Sequence, residues 1–86
     1  MRELLSQKEQ RQLKILEYLF ENPDWIYLDD LSKIIGYNAR IIKSDIKDLR
    51  EVFPDFDIRH STAGIMMVNT KNNGIERIYQ YFLQTS

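Results

Sequence analysis

The chain has 86 residues, of which 43% are hydrophobic and 29% are charged, and its net charge is −1. This length fits one domain, and the apolar share is typical of a folded chain rather than a disordered one. The absence of cysteine excludes disulfides and cysteine metal sites. The polar first ten residues argue against a signal peptide, and no apolar run approaches the ~20 residues of a membrane span. We therefore expect a cytoplasmic protein.

The first predicted helix spans residues 6–22. Ser6 and Glu9 have the spacing of a capping box, in which each side chain satisfies the other's backbone N–H. Asn22-Pro23 ends the helix, because the residue before proline is pushed out of the helical region. The apolar face comprises Leu13, Ile15, Leu16, Leu19 and Phe20. We interpret this helix as scaffold, and leave open whether Leu4 and Leu5 pack back on the domain or face a partner.

The next two helices are predicted over residues 29–35 and 38–53. Gly36 ends the first of them, and Asn38 is a good N-cap for the second. The inner face of the first comprises Leu31, Ile34 and Ile35. Two helices joined this tightly, with glycine in the joint, form a helix-turn-helix. The segment Asp24–Leu28 before them is β-prone, and we expect it to pair as a short strand with a later one.

The helix over 38–53 carries two stripes at helical spacing. One stripe is apolar and comprises Ile42, Ile46, Leu49 and Phe53. The other is cationic and comprises Arg40, Lys43, Lys47 and Arg50. A helix with an anchored apolar face and a cationic outer face fits an anionic partner, and double-stranded nucleic acid is the leading candidate. For an isolated helix, an ordinary solvated face would be the simpler interpretation, but the neighbouring elements favour a recognition helix.

A β-hairpin and a last helix follow. Alternation from Phe56 to His60, a turn at Ser61–Gly64 and a returning strand from Ile65 to Val68 predict a wing over residues 56–69. The last helix is predicted over 73–84 and either covers the domain's own core or offers a surface to another domain or a second copy. The predicted fold is therefore mainly α with a small β-hairpin: a winged helix-turn-helix with a three-helix core, a β-wing and a C-terminal helix.

The segments WIYLDDLSKIIGYNARIIKSDIKDL, HSTAGIMMV and NNGIERIYQYF together resemble the N-terminal winged-helix domain of Mga-type transcriptional regulators of Gram-positive bacteria. They resemble more loosely the winged helices of sugar-operon antiterminators and of DeoR-like repressors. The resemblance covers almost the whole chain. It implies a DNA-binding domain of a transcription regulator, and a longer natural protein with a second winged helix and domains similar to phosphotransferase-system regulatory modules. Whether the domain forms a homodimer is left open.

The recognition helix and the wing supply the candidate DNA contacts. These candidates are Ala39, Arg40, Lys43, Ser44, Lys47, Arg59, Ser61 and Thr62. The N-terminal part of a recognition helix meets base edges in the major groove, which favours Arg40, Lys43 and Ser44 for base contact. Lys47 lies further along and is expected to meet phosphate, as are the three wing residues. For each contact the alternative is a merely solvated side chain.

Other functions fit the sequence less well. An enzyme is not expected, since there is no cysteine nucleophile, no glycine-rich phosphate loop and no second histidine. No cofactor or metal is expected, and we interpret the lone His60 as structural. Asp45 is expected to form a structural ion pair or hydrogen bond. The main alternative is a winged helix that binds proteins or dimerises without DNA contact. A double-stranded RNA reader is a weaker one, because the A-form major groove does not admit a helix.

Overall fold

The computed structural model describes residues 4–68 and 74–85. The elements, in chain order, are helices α1 (Gln7–Glu21), α2 (Leu28–Ile35) and α3 (Ala39–Val52), a short 3-10 helix (Pro54–Phe56), strands β1 (Ile58–Ser61) and β2 (Gly64–Met67), and helix α4 (Gly74–Thr85). Four helices and a two-stranded antiparallel hairpin in this order form a winged helix-turn-helix, as predicted. None of the helices in these residues is long and apolar enough to cross a membrane.

Helix α1 begins with the capping box expected at Ser6. The Ser6 hydroxyl accepts a hydrogen bond from the Glu9 N–H at 3.1 Å, and the Ser6 N–H donates to the Glu9 carboxylate at 3.0 Å. The helix ends where the Asn22 N–H donates to the Tyr18 carbonyl, immediately before Pro23. Its inner apolar side chains are fully buried: Leu13, Ile15, Leu16 and Leu19. Helix α1 is therefore the scaffold against which the other helices pack.

The joint between α2 and α3 has the expected caps. Gly36 adopts the left-handed conformation, with φ of 89°, and its N–H donates to the Ser32 carbonyl at 2.8 Å. Two residues later the Asn38 side chain accepts a hydrogen bond from the Ile41 N–H at 2.9 Å and so begins α3. Because both caps fall within three residues, the two helices turn sharply and pack on each other.

The prediction that Ile34 belongs to the inner face of α2 is wrong. Ile34 is 53% exposed, whereas Leu31 and Ile35 are buried. At about 100° per residue, Leu28, Leu31 and Ile35 fall within one sector about 60° wide, and Ile34 lies about 90° from its centre. The start of α2 also differs, since the helix begins at Leu28 after Tyr27, with no side-chain hydrogen bond at the cap.

The hairpin pairs β1 with β2 in antiparallel register, with Ile58 opposite Met67 and Ser61 opposite Gly64. The other edge of β2 is bridged by Ile26, whose N–H and carbonyl both bond Ile65, at 2.9 and 2.8 Å. This confirms the expected pairing of the segment Asp24–Leu28 with a later strand. The wing is therefore tied to the helical body through its second strand.

Phe56 does not belong to the first strand of the wing, contrary to the prediction. Pro54 begins a 3-10 turn, which its fixed φ suits, and the Phe56 N–H donates to the Phe53 carbonyl at 3.1 Å. The Phe56 ring stacks on the Phe53 ring at a centroid distance of 5.0 Å. Asp57 then takes a left-handed conformation, with φ of 48°, and the strand starts at Ile58. Residue 69, the predicted end of the wing, lies outside the described residues.

Packing at the two ends of the chain answers two questions that the sequence left open. Leu5 is buried and packs back on the domain, whereas Leu4 is exposed. Helix α4 covers the domain's own core, since Ile78 and Phe82 are fully buried, and Leu83 remains exposed on its outer side. Residue 73, the predicted start of this helix, lies outside the described residues.

Candidate nucleic-acid interface

Helix α3 has one face in the core and one face in solvent. The apolar stripe of Ile42, Ile46, Leu49 and Phe53 is buried. The cationic stripe of Arg40, Lys43, Lys47 and Arg50 is exposed throughout. The two stripes therefore lie as the spacing predicts. The exposed stripe places positive charges along more than two turns of the helix surface.

A buried ion pair holds α3 against α1. The Arg11 guanidinium donates to both carboxylate oxygens of Asp45, one of them at 2.9 Å. Gln12 donates to the same carboxylate at 3.4 Å, and the Arg11 guanidinium lies 4.9 Å from the centre of the Tyr37 ring. The hydrogen bond to Asp45 raises the pKa of Arg11, against the opposing effect of burial. This confirms the structural role expected for Asp45, whose charge is neutralised inside the protein and away from the exposed face of α3.

The predicted contact residues fall into two groups. On α3, Arg40, Lys43, Ser44 and Lys47 are exposed and Ala39 is half-buried. On the wing, Arg59, Ser61 and Thr62 are exposed. The Ser61 hydroxyl accepts a hydrogen bond from the Ala63 N–H at 3.1 Å, which shapes the wing's turn. All the candidates except Ala39 are thus exposed side chains.

An open cleft of about 350 Å³ separates α3 from the wing. Its walls and floor comprise Lys43, Ser44, Ile46, Lys47, Arg50, His60 and Ile65. Ile46 from α3 and Ile65 from β2 are almost fully buried and form the apolar floor. No carboxylate among residues 4–68 and 74–85 lines this cleft. The structure therefore brings Lys43, Ser44 and Lys47 together with the wing, at a site that has cationic side chains on the α3 side and an apolar floor.

Arg59 is held on the wing by an ion pair. Its Nε and Nη2 donate to the Asp57 carboxylate at 3.0 and 2.7 Å. These hydrogen bonds lower the pKa of Asp57 and raise the pKa of Arg59. Both side chains are more than half exposed, so solvent screens the pair. Arg59 therefore lies at the surface, with its guanidinium already paired to the neighbouring Asp57 carboxylate.

Two polar residues of the cleft were not among the predicted contacts. Arg50 was identified as part of the cationic stripe but not as a site residue, and His60 was interpreted as structural. A signal for His60 was available, since alternation places it on the same face of β1 as buried Ile58, towards α3. In the described part of the chain no group of three or more His, Cys, Asp or Glu side chains is placed to hold a metal ion.

Comparison with known proteins identifies the family. Residues 6–65 match the M protein trans-acting positive regulator (MGA) HTH domain. All of the chain aligns, at 38% identity over 86 residues, with a Streptococcus pneumoniae protein described as a "Putative trans-acting regulator". The chain spans only 17% of that protein's length. The matched region contains α1, the helix-turn-helix and most of the wing, and the chain therefore belongs to the MGA helix-turn-helix family, as its sequence predicts.

Proposed function

We propose that this domain binds double-stranded DNA in a sequence-specific manner, with α3 in the major groove and the wing on phosphate. The observation that carries the proposal is the exposed cationic stripe of α3, opposite a buried face that is fixed to α1 by the Arg11–Asp45 pair. The major groove of B-DNA is about 12 Å wide and accepts one helix. The match to the helix-turn-helix domain of a trans-acting regulator also supports DNA as the partner.

Roles on α3 follow from position along the helix. Arg40, Lys43 and Ser44 lie in its first half, which meets base edges in helix-turn-helix docking. Arg40 suits bidentate contact with guanine, a pairing that discriminates by about 1–3 kcal/mol. Lys47 lies one turn beyond Lys43 and suits phosphate, which positions the protein without reading sequence. Ala39 is small and suits close approach or contact with a thymine methyl group.

The wing is the second contact. Arg59, Ser61 and Thr62 are exposed near its tip and carry hydrogen-bond donors for phosphate oxygens. Because the hairpin is tied to Ile26 on one edge and packs through Ile58, its tip is held in a fixed position relative to α3. Such a fixed geometry reduces the ordering cost of binding.

A longer regulator is the natural context for this function. The Streptococcus pneumoniae relative extends well beyond the matched region, so we propose that the domain acts with further domains in a cytoplasmic transcription regulator that is not an enzyme.

A protein-binding module is the second candidate. The observation in its favour is that Tyr27, Ile34 and Leu83 are large apolar side chains with more than half of their surface exposed. Exposed apolar residues on α2 and α4 suit a protein partner better than DNA. The two candidates differ in their response to salt, because binding through Z phosphates weakens with a log–log slope near −0.9Z.

Fluorescence anisotropy with a pool of random-sequence duplexes tests the proposal. With about four phosphate contacts, raising the salt concentration from about 50 to about 200 mM is expected to weaken binding on the order of 100-fold. Absence of binding at the lower salt concentration would contradict DNA recognition by this domain. A DNA affinity that does not change with salt would contradict the cationic stripe as the contact surface.

A further inference from the structure

The cleft between α3 and the wing contains a group that the proposed contacts leave unused, the imidazole of His60. We infer that this cleft receives one phosphate of the DNA backbone, and that His60 donates a hydrogen bond to it and takes up a proton as DNA binds. The inference rests on the proposed DNA binding and adds a specific phosphate site with a titratable donor. It predicts a pH dependence that the cationic stripe alone would not produce.

His60 is placed at the cleft by the pleat of β1. Side chains alternate between the two faces of a strand, so His60 shares a face with buried Ile58, while Arg59 and Ser61 point to the other face. His60 pairs across the hairpin with Ile65, which forms the floor of the cleft. The imidazole is exposed. It therefore lies beyond the end of the core, on the wing side of the cleft, where a ligand can reach it.

The groups that face His60 favour an anion. From α3 the cleft receives three cations and one hydroxyl: Lys43, Lys47, Arg50 and Ser44. From β2 it receives only apolar Ile65. Phosphate oxygens accept hydrogen bonds, and all of these polar groups are donors. Asp57, the acid immediately before β1, bonds Arg59 and does not line the cleft.

The same surroundings couple DNA binding to a proton. A phosphate beside His60 places an opposite charge within hydrogen-bond distance, which favours the imidazolium over the neutral ring. Histidine changes charge between pH 5 and 8, so in this range the complex is expected to hold up to one proton more than the free protein. DNA affinity should then rise as pH falls.

The walls of the cleft are rigid enough to hold one phosphate. Ile46 and Ile65 pack at its floor and are 3% and 1% exposed. The hairpin is further fixed by the two hydrogen bonds between Ile26 and Ile65. A backbone that runs between a helix in the major groove and a wing beside it passes along this cleft. The backbone positions that carry the donors on its two sides are thus fixed before DNA arrives.

The test compares wild-type protein with His60→Gln, which keeps an N–H donor but cannot take a charge. Anisotropy titrations with random duplex DNA are made over a range of salt concentrations at about pH 5.5 and about pH 8. In the wild type the log–log salt slope should be steeper by about 0.9 at the lower pH, since one more cation neutralises a phosphate. In His60→Gln the slope should be the same at both pH values. His60 is the only histidine in the chain, so the comparison isolates one side chain.

Lys14→Gln is the matched control, because it removes a cation at an exposed position of α1 outside the proposed interface. It should keep the pH-dependent slope of the wild type. The inference is overturned if His60→Gln retains that pH dependence or if the wild type lacks it, and salt-dependent binding at pH 8 would then still support the proposed function. Absence of salt-dependent binding at both pH values would overturn both.

Discussion

Arg11 on α1 and Asp45 on α3 are 34 residues apart in the chain and form a two-point ion pair that is almost completely withdrawn from solvent. The pair fixes α3 by its inner side, two residues from Lys43 and five from Arg40 on the outer side. It thereby links the scaffold helix to the face that we propose for DNA. Because a buried charge without its partner is costly, the pair gives a direct prediction about stability.

Removal of Arg11 alone should destabilise the domain strongly. In Arg11→Ala the Asp45 carboxylate remains buried beside Gln12 without its counter-charge, which is expected to lower the free energy of unfolding by about 3–5 kcal/mol. Urea denaturation followed by circular dichroism measures the change. The double variant Arg11→Met/Asp45→Leu, in which no charge is left behind, should recover most of the loss. Equal destabilisation in both variants would contradict this account.

Gly64 should tolerate no side chain. It has a φ of 116°, and a Cβ at this position would clash with the carbonyl oxygen of Ile26, where the hairpin meets the segment before α2. Gly64→Ala is expected to lower the free energy of unfolding by about 2 kcal/mol or more. Gly36→Ala is the matched control, since Gly36 also has positive φ but has open space around its Cα. Its loss should be about 1 kcal/mol. The stabilities are compared by thermal denaturation. Equal melting temperatures of the two variants would contradict the close approach at Gly64.

Release of Arg59 from Asp57 should strengthen DNA binding. Asp57→Asn keeps a residue that accepts the left-handed backbone and removes an acid from the wing. Because solvent screens an exposed ion pair and makes it weak, affinity for random duplexes should rise by no more than about fivefold. Fluorescence anisotropy at pH 7 measures the change in DNA affinity. In an Arg59→Gln background the same change should give a smaller gain, and an equal gain there would show that Arg59 does not contact DNA.

The direction in which pH changes the contribution of the Asp57–Arg59 ion pair to stability can be predicted. Arg59 lowers the pKa of Asp57, so any stability from the pair is fully present above the ordinary carboxylate pKa of 3.8 and is lost as pH falls through the lowered value. Between pH 5.5 and 8 the pair stays intact. A pH-dependent salt slope in that range therefore reports on His60 and not on Asp57.

Arg40 should control sequence preference more than overall affinity. After a preferred duplex has been selected from a random pool, Arg40→Ala is expected to weaken binding to it by about 5- to 150-fold, the equivalent of 1–3 kcal/mol. Binding to random duplexes should change much less. Lys47→Ala should weaken both equally and reduce the salt slope by about 0.9. The base-contact role would be disproved if Arg40→Ala weakened both kinds of duplex to the same extent.

Local patterns predicted most of the fold. The capping box at Ser6, the left-handed Gly36 and the Asn38 cap are determined by neighbouring residues, and the stripes of α3 follow from helical periodicity. The position of Ile34 was not predictable in the same way, because an eight-residue helix with four apolar residues leaves the centre of the buried sector open. That centre is set by the packing partner.

The candidate site was predicted only in part for the same reason. The cationic stripe is a property of one helix and is visible in the sequence. The cleft forms because tertiary packing brings β1 next to α3, and only this packing places His60 and Arg50 at one site. Similarly, Asp45 could be expected to bond a protein group, but nothing local identifies Arg11 as its partner.

The central claim is that the cationic stripe of α3 is the DNA contact, and charge reversal tests it most directly. The measurement compares Lys43→Glu/Lys47→Glu with Lys14→Glu/Lys33→Glu, which makes the same change in net charge at exposed positions on α1 and α2. Both proteins are titrated with random duplex DNA at about 50 mM salt. We predict loss of binding in the first variant and near wild-type binding in the second, with unchanged circular dichroism in both. Equal affinities of the two variants would contradict the account.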